Sequence, residues 1–429
     1  MSDSTSKSAQ RRLPEAVLFA GGSEGVRLLG QKGVPVFVVR QGVRTTEAVS
    51  PYGARSLFAP DGWATNLDDW FERQSWPAGA AALAGSDFAS WWLARCVQDE
   101  NKPHLNYGTP GLKVISSLLL KSQLFDLCGQ AGVPAPKTWL LEGDRRPPQL
   151  LAEAIFPLVV KPQSRVGMQG WIRARLVRDE QELAETISWF RRNIRFDERV
   201  TSDEPAIQLP VVQECVEADR DEVYHLLGYR SRAGELVVAA HRKLLQYPRR
   251  FGNGLCFESD EVDPVVASNL ERLLGLAEYW GIFEAEYLER DGEKLLIDLN
   301  PRDYNGISLE IERGYLLQWY LYLDTIGETA LLSSELEKAR ALTPPALVWR
   351  DGPRFWTMLV CQTLSGGMSP RSAWRWVSWS RTNRSKMVDP ITLLGSRKAM
   401  ARQLSDHLRE ALRHPRAFVG TYFSRGSPG

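Results

Sequence analysis

From Phe283 to Arg302 the chain reads FEAEYLERDGEKLLIDLNPR, with polar and apolar positions alternating on both sides of an Asp291-Gly292 dipeptide. Period-two alternation marks half-buried strands, and Asp-Gly between two such runs marks a tight hairpin. Glu286 falls on the first strand, and Asp298 and Asn300 on the second. Residues two apart on a strand share a face, so Asp298 and Asn300 point together, opposite to Ile297 and Leu299. A hairpin brings Glu286 to the same face, with Glu284 two residues earlier as a reserve donor. Pro301 ends the strand because it has no N–H for the ladder, and Arg302 follows as a fixed positive charge. Oxygen donors converging beside a cation suit Mg²⁺ and phosphate. The competing reading is a solvated hairpin with ordinary surface charges; the apolar opposite face and the abrupt proline favour a built site.

The same reading predicts elements elsewhere. Ala16–Arg40 is strand, Gly-rich turn, helix, strand, and Ala80–Asp87 holds a third buried strand. This alternation predicts a parallel sheet. A helix from Ser116 stops at Gly132-Val133-Pro134-Ala135-Pro136, Pro147-Pro148 marks a loop, and Gln149–Ala154 is a short helix. Leu158–Pro162 is a strand ending in Lys161, where an ammonium buried without an anion is costly. A glycine-bearing loop, Gln163–Gly170, leads to a partner strand at Trp171–Leu176. Asp179–Arg192 is an amphipathic helix, Asp197–Glu204 a polar loop, and Val211–Ala218 a strand with Glu214 near its end. Val223–Tyr229 and Leu236–Arg242 form a hairpin around Ala233-Gly234, and Asp263–Trp280 is a helix. Leu342–Gly429, rich in Trp, Arg and Pro, ends in a helical Ser396–Arg413. The class is therefore α/β and α+β.

Composition narrows the function classes. At 429 residues and 43% hydrophobic content the chain can build several cores. A formal net charge of +1 gives no electrostatic reason to expect nucleic acid or an anionic membrane. No apolar run reaches a membrane-spanning length of about 18 residues. The N-terminal MSDSTSKSAQRRLPE is polar and reads as a disordered tail, not a secretory signal. Five scattered cysteines without a Cys-x-x-Cys pair argue against zinc and disulfides and fit a reducing cytoplasm. The 15 tryptophans read as core or groove lining, and those of Trp374–Arg381 as anchors of the C-terminal region more readily than as a basic-aromatic binding surface.

Two polar strand ends leave alternatives open. Gly21-Gly22-x-x-Gly25 invites a dinucleotide reading, but the full Gly-x-Gly-x-x-Gly is absent and Arg40 and Gln41 stand where an acid is needed. The turn can instead hold an acidic co-substrate at a helix N-terminus. Ser86 and Asp87 are either a plain helix cap or residues facing a site.

The order of these motifs resembles the ATP-grasp superfamily, in a subgroup similar to D-aspartate ligase and other carboxylate–amine ligases. SLLLKSQLFDLCGQAGVPAPKTW (Ser117–Trp139), LVVKP, VVQECVEA, HRKLLQYPRRFGNG (His241–Gly254) and the acid strand followed by DLNPR carry the likeness, over Ala16 to Gly327. It implies a disordered tail at 1–13, a parallel pre-ATP-grasp domain at 14–115, a two-lobed ATP-grasp fold at 116–330 with its small lobe at 137–212, and a mostly helical C-terminal lobe at 331–429. By the same resemblance Lys121 and Lys161 meet the α- and β-phosphates. Gln213, Glu214 and Val216 form the linker whose backbone reads adenine, and Glu222 takes the ribose, with Asp221 as a rival. Lys243 contacts the β/γ-phosphates, although its facing on the strand is open. Glu286, Asp298 and Asn300 hold Mg²⁺ (or Mn²⁺); Asp298 departs from the usual Glu. Arg302 stabilises charge at the transferring phosphoryl, Gln163–Gly170 is the lid, and Arg165 within it reaches phosphate. The implied activity is an ATP-dependent carboxylate–amine ligase working through an acyl phosphate. Bicarbonate activation and an inactive ATP-binding protein are the alternatives. The implied partners are a small carboxylate and an amine, with no nucleic acid or membrane, in a cytoplasmic protein compatible with a homodimer.

Overall fold

The computed structural model describes residues 13–41, 52, 55–59, 63–99, 102–141, 153–170, 172, 174–219, 222–247 and 252–393, with scattered positions between 397 and 422. The expected tail, Asp221, the Pro147-Pro148 loop and most of Gln149–Ala154 and of Ser396–Arg413 lie outside these residues.

Five parallel strands open the chain: β1 (Ala16–Phe19), β2 (Val36–Gln41), β3 (Arg55–Ala59), β4 (Ala81–Ala84) and β5 (Asn106–Tyr107), in the order β3-β2-β1-β4-β5. β1 is apolar at every position because both faces are covered. Val17 and Phe19 pack with Phe71 and Trp92, while Ala16 and Leu18 pack with Leu28, Leu29 and Tyr320.

The next strands are β6 (Thr138–Leu140), β7 (Leu158–Pro162), β8 (Met168–Gln169), β9 (Arg175–Val177), β10 (Arg195–Phe196) and β11 (Pro210–Glu214). β6-β11-β7-β9 form an antiparallel sheet. Its Val160 and Val212 pack under Leu183 and Ile187 of the helix Glu180–Asn193. The expected loop at Asp197–Glu204 is instead a short helix, Glu198–Asp203, because Asp197 caps it by accepting from the Arg199 N–H.

A large sheet completes the fold: β12 (Val223–Arg230), β13 (Leu236–Tyr247), β14 (Asn253–Asp260), β15 (Gly281–Arg290), β16 (Glu293–Asn300), β17 (Val348–Arg350) and β18 (Met387–Val388). Its order is β16-β15-β12-β13-β14-β17-β18. The C-terminal region is thus partly built into this sheet through β17 and β18, and is not only a helical addition. Among the described residues no helix is long and apolar enough to cross a membrane.

Register decides where chemistry can sit. His225 pairs with His241 and with Glu286, so odd positions of β12 and β13 share a face with even positions of β15. On that face Tyr229, Val237 and Ile282 pack under the helix Leu317–Thr325. Further along, the same face turns polar, with His225, Lys243, Glu284 and Glu286. The sheet is core at one end and cleft floor at the other.

Two local departures from the expected pattern matter for the cleft. The helix expected from Ser116 is two helices, Leu112–Leu119 and Lys121–Ala131, broken at Leu120 where ψ is 116°. The break sets Lys121 at a helix start instead of mid-helix. Strict alternation also fails on β16, where Glu286 faces Asp298 but Tyr287 faces Leu296, leaving Ile297 as a bulge. Leu296 and Leu299 therefore both enter the core, and the Ile297 carbonyl is free to accept from the Lys161 ammonium at 3.1 Å.

Candidate active site

A cavity of about 720 Å³ opens where the small-lobe sheet, the large sheet and the start of the Asp87–Cys96 helix meet. Among the residues singled out from sequence, Lys121, Lys161, Arg165, Gln213, Glu214 and Val216 line it. So do Lys243, Glu286, Asp298, Asn300 and Arg302. Glu222 does not; its carboxylate stands 4.0 Å from Arg242 Nη1.

The hairpin turn forms as its chemistry requires, with Asp291 at φ 55° and Gly292 at φ 76°. It sets Glu286 opposite Asp298 and Glu284 opposite Asn300. Each acid has a lysine: Lys121 Nζ lies 2.7 Å from Asp298 Oδ1, and Lys243 Nζ lies 2.7 Å from Glu286 Oε2. Lys243, whose facing was open in the sequence, turns inward. Burial would push the Glu286 carboxyl up, but Lys243 and its neighbours hold it well below the usual range.

Glu284 behaves oppositely. Burial first, and then the charge on Glu286, push its carboxyl up to about 8. It accepts from Asn300 Nδ2 at 3.1 Å and meets His225 Nδ1 at 2.9 Å. Burial keeps His225 neutral, with its ring lowered to about 3. Glu284 thus orients the Asn300 amide, whose Oδ1 accepts from Arg302 Nη2 at 3.1 Å. All donors of the Glu286, Asp298 and Asn300 set are oxygens, which fits a hard divalent cation.

Arg302 is anchored by Asp87, which settles one of the open readings. Ser86 is the plain cap, accepting from the Ala89 N–H at 3.2 Å, while Asp87 turns into the site and pairs with Arg302 Nε. Burial works against the ionised Asp87 carboxyl, but Arg302, with Arg165 and Lys121 further off, holds it below its ordinary value. Asp87→Ala is expected to lower unfolding stability by about 2 kcal/mol, less than for a fully enclosed pair because the cavity admits water. A denaturant midpoint unchanged from wild type would show that Arg302 does not depend on this partner.

In the turn after β1, the expected place for an acidic co-substrate, the helix's own Glu24 carboxylate lies over Gly22, where an added Cβ would lie 2.6 Å from Glu24 Oε2, and Ser23 Oγ donates to it at 3.2 Å.

Lys161 is 9% exposed, and burial followed by repulsion from Lys121 lowers its ammonium to about 7. The glycine loop is not a free flap: the Lys121 N–H donates to the Gln163 carbonyl at 3.0 Å, and the Asp197 N–H to the Gly167 carbonyl at 2.9 Å.

His225 escaped sequence reading. Its signal was present, since a hairpin centred on Ala233 pairs His225 with His241, placing two of only five histidines side by side in apolar strands.

No family model matches the chain, and no curated protein sequence does. Solved structures match its fold. A biotin carboxylase from Campylobacter jejuni, described as a β,γ-ATP complex, aligns with a TM-score of 0.56 at 14% identity over 74% of this chain and 72% of that one. The biotin carboxylase domain of the Hydrogenobacter thermophilus 2-oxoglutarate carboxylase, a dimer with MgADP, ADP and bicarbonate, gives 0.53 at 15% over 73% and 70%. An L-amino acid ligase from Bacillus licheniformis gives 0.52 at 14% over 73% and 75%. With its parallel opening sheet, its small antiparallel lobe and the large sheet beneath the cleft, this chain has the ATP-grasp fold.

Proposed function

We propose that the chain is an ATP-dependent ligase that joins a small carboxylate to an amine and releases ADP and phosphate. The convergence of Lys121, Lys161, Lys243 and Arg302 on the Glu286, Asp298 and Asn300 oxygens in one cavity carries the reading. Cations grouped around an oxygen-donor set neutralise a triphosphate and its metal, and little else requires both.

In this reading the backbone of Gln213, Glu214 and Val216 faces the adenine edge. The Glu214 side chain is committed elsewhere, to the Lys137 N–H at 3.1 Å and to Arg290. Glu217, in the cavity lining, suits the ribose hydroxyls better than Glu222. Lys121 and Lys161 meet the inner phosphates, Lys243 and Arg165 the outer ones. Glu286, Asp298 and Asn300 would hold Mg²⁺, or Mn²⁺ in its place, which draws charge off the β- and γ-phosphates when bound.

The carboxylate oxygen attacks the γ-phosphorus and the bond to the bridging oxygen breaks, giving an acyl phosphate and ADP. The amine nitrogen then attacks the acyl carbon, losing a proton, and phosphate leaves with the C–O electron pair. Arg302, held by Asp87, is placed for the charge on the transferring phosphoryl and on the tetrahedral carbon that follows. The division at 14–115, 116–330 and 331–429 belongs to the same proposal, with substrates entering beside the first unit.

Nucleotide product analysis with Mg²⁺·ATP and pools of amino acids and small acids tests it. ADP and phosphate are expected only when acid and amine are both present. ADP formed with bicarbonate and no amine would replace this reading with bicarbonate activation. AMP and pyrophosphate would overturn the acyl-phosphate route.

A further inference from the structure

The loop 163–170 is held by a chain of contacts that leaves the small lobe and ends in the N-terminal domain. At its start, Gln163 Oε1 accepts from the Ser122 N–H at 3.0 Å, next to the Lys121 contact already described. At its end, β8 pairs with β10, with Gln169 opposite Arg195 and Met168 opposite Phe196. Gly167, at φ 62°, lies so close to the following helix that a Cβ would sit 2.9 Å from Asp197 Cβ and from Val200 Cγ2. The loop therefore moves with Asp197 and the helix Glu198–Asp203.

Asp197 and Arg199 are clamped together, with Arg199 Nε 3.1 Å from Asp197 Oδ1 and Nη2 3.1 Å from Oδ2. The remaining arm of Arg199 crosses to the other domain, where Nη1 donates to Asp68 Oδ2 at 2.8 Å. Asp68, on the helix Trp63–Glu72, is itself fixed by Trp92 Nε1 at 3.1 Å and Lys102 Nζ at 3.0 Å. A second bridge, Arg95 Nε to Asp203 Oδ2 at 3.0 Å, runs parallel to it. A lone exposed pair contributes little, but a guanidinium shared by two carboxylates, one of them pre-set by an indole and an ammonium, loses little side-chain freedom on closing. Burial works against both charges, yet their partners keep the Asp68 carboxyl below and the Arg199 guanidinium above their ordinary values.

We propose that Asp68 and Arg199 are positioning residues: their ion pair latches the small lobe to the N-terminal domain and sets the 163–170 loop, with Arg165, against the cavity. The latch makes binding in the cavity sensitive to the N-terminal domain, although neither residue lines it. Its consequence for nucleotide rests on the reading given under Proposed function, whereas the latch itself does not.

Hydrogen exchange on the full chain separates the two. In Asp68→Asn, amides 168–170 and 195–197 are expected to exchange about tenfold faster than in wild type, the loss of one charge-assisted contact, and in Arg199→Gln, which also gives up both side-chain contacts to Asp197, at least as fast. The double variant should be no faster than Arg199→Gln alone, and amides 224–228 of the large sheet should be unchanged. Asp68→Glu should recover part of the protection. Wild-type exchange at 168–170 and 195–197 in both single variants, or acceleration spread over the whole chain, would overturn the latch. Adding Mg²⁺·ATP should slow the same amides in wild type and bind several-fold more weakly to Asp68→Asn. Failure to slow wild type counts against the nucleotide reading, while the nucleotide-free comparison still decides the latch.

Discussion

Glu286→Gln is expected to cut turnover by about a thousandfold with the fold intact, the scale of losing one preorganised electrostatic group at a charge-developing centre. The substitution keeps the volume and leaves an amide oxygen to accept from Lys243 Nζ, now 2.7 Å from the carboxylate. It removes one negative charge from a face where Lys243, Lys121 and Arg302 all remain. The sign of the nucleotide effects follows. A site made more positive holds a divalent cation less well and a metal-free triphosphate no worse. Glu286→Gln should therefore need much more Mg²⁺ for residual turnover while still binding ATP. Adding Asn300→Ala should deepen the loss and also strip Glu284 of its 3.1 Å donor. Turnover unaltered in the tandem variant, with melting unchanged, would sink the metal assignment. A variant that melts early would point to the strand pairing of Glu286 with Asp298, which is why the isosteric glutamine comes first.

What the sequence showed of this site and what it hid have separable causes. The hairpin was legible because Asp291-Gly292 is one of few dipeptides that accept positive φ at both turn positions, and the turn fixes the register that sets Glu286 against Asp298. The parallel opening sheet was legible from strand and helix alternating along Ala16–Arg40. The bulge at Ile297 was not, since alternation assumes a constant pleat; Leu296 and Leu299 on one face revealed it only after pairing. Lys243 could not be oriented for a similar reason, because β13 slips register against β14 just after it. Asp87 and Arg302 lie 215 residues apart, and no local pattern joins them. The helix Glu198–Asp203 resembles a loop in the sequence because it is short and polar, and only the Asp197 cap marks it. Local turn and capping chemistry reads directly. Partners brought together by chain closure do not.

Lys161 is expected to couple both folding stability and nucleotide binding to pH, in opposite directions. The side chain is buried, its Nζ donates to the Ile297 carbonyl, and it lies 5.5 Å over the Phe125 ring. Burial, then repulsion from Lys121, bring the ammonium from 10.5 to about 7. Between those values the unfolded chain binds more protons than the folded one, so stability should rise as pH climbs from 7 towards 10.5. Lys161→Met removes the buried charge, so it should stabilise the chain most below pH 7 and progressively less above it. Binding runs the other way. A triphosphate beside the ammonium favours its charged form, so at pH 8 Mg²⁺·ATP binding should take up close to one proton through this residue, and at pH 6 almost none. Affinity should then fall by about tenfold per pH unit above 7 until the bound-state value is reached. Lys161→Met should weaken binding at pH 6.5 by about a hundredfold, the loss of charge-assisted contacts to phosphate, and flatten the pH dependence. Calorimetry in buffers of different ionisation enthalpy measures the proton count directly. Equal uptake by wild type and Lys161→Met at pH 8 would mean that this lysine does not face the phosphates, and a variant both more stable and equally tight would make it a structural residue alone.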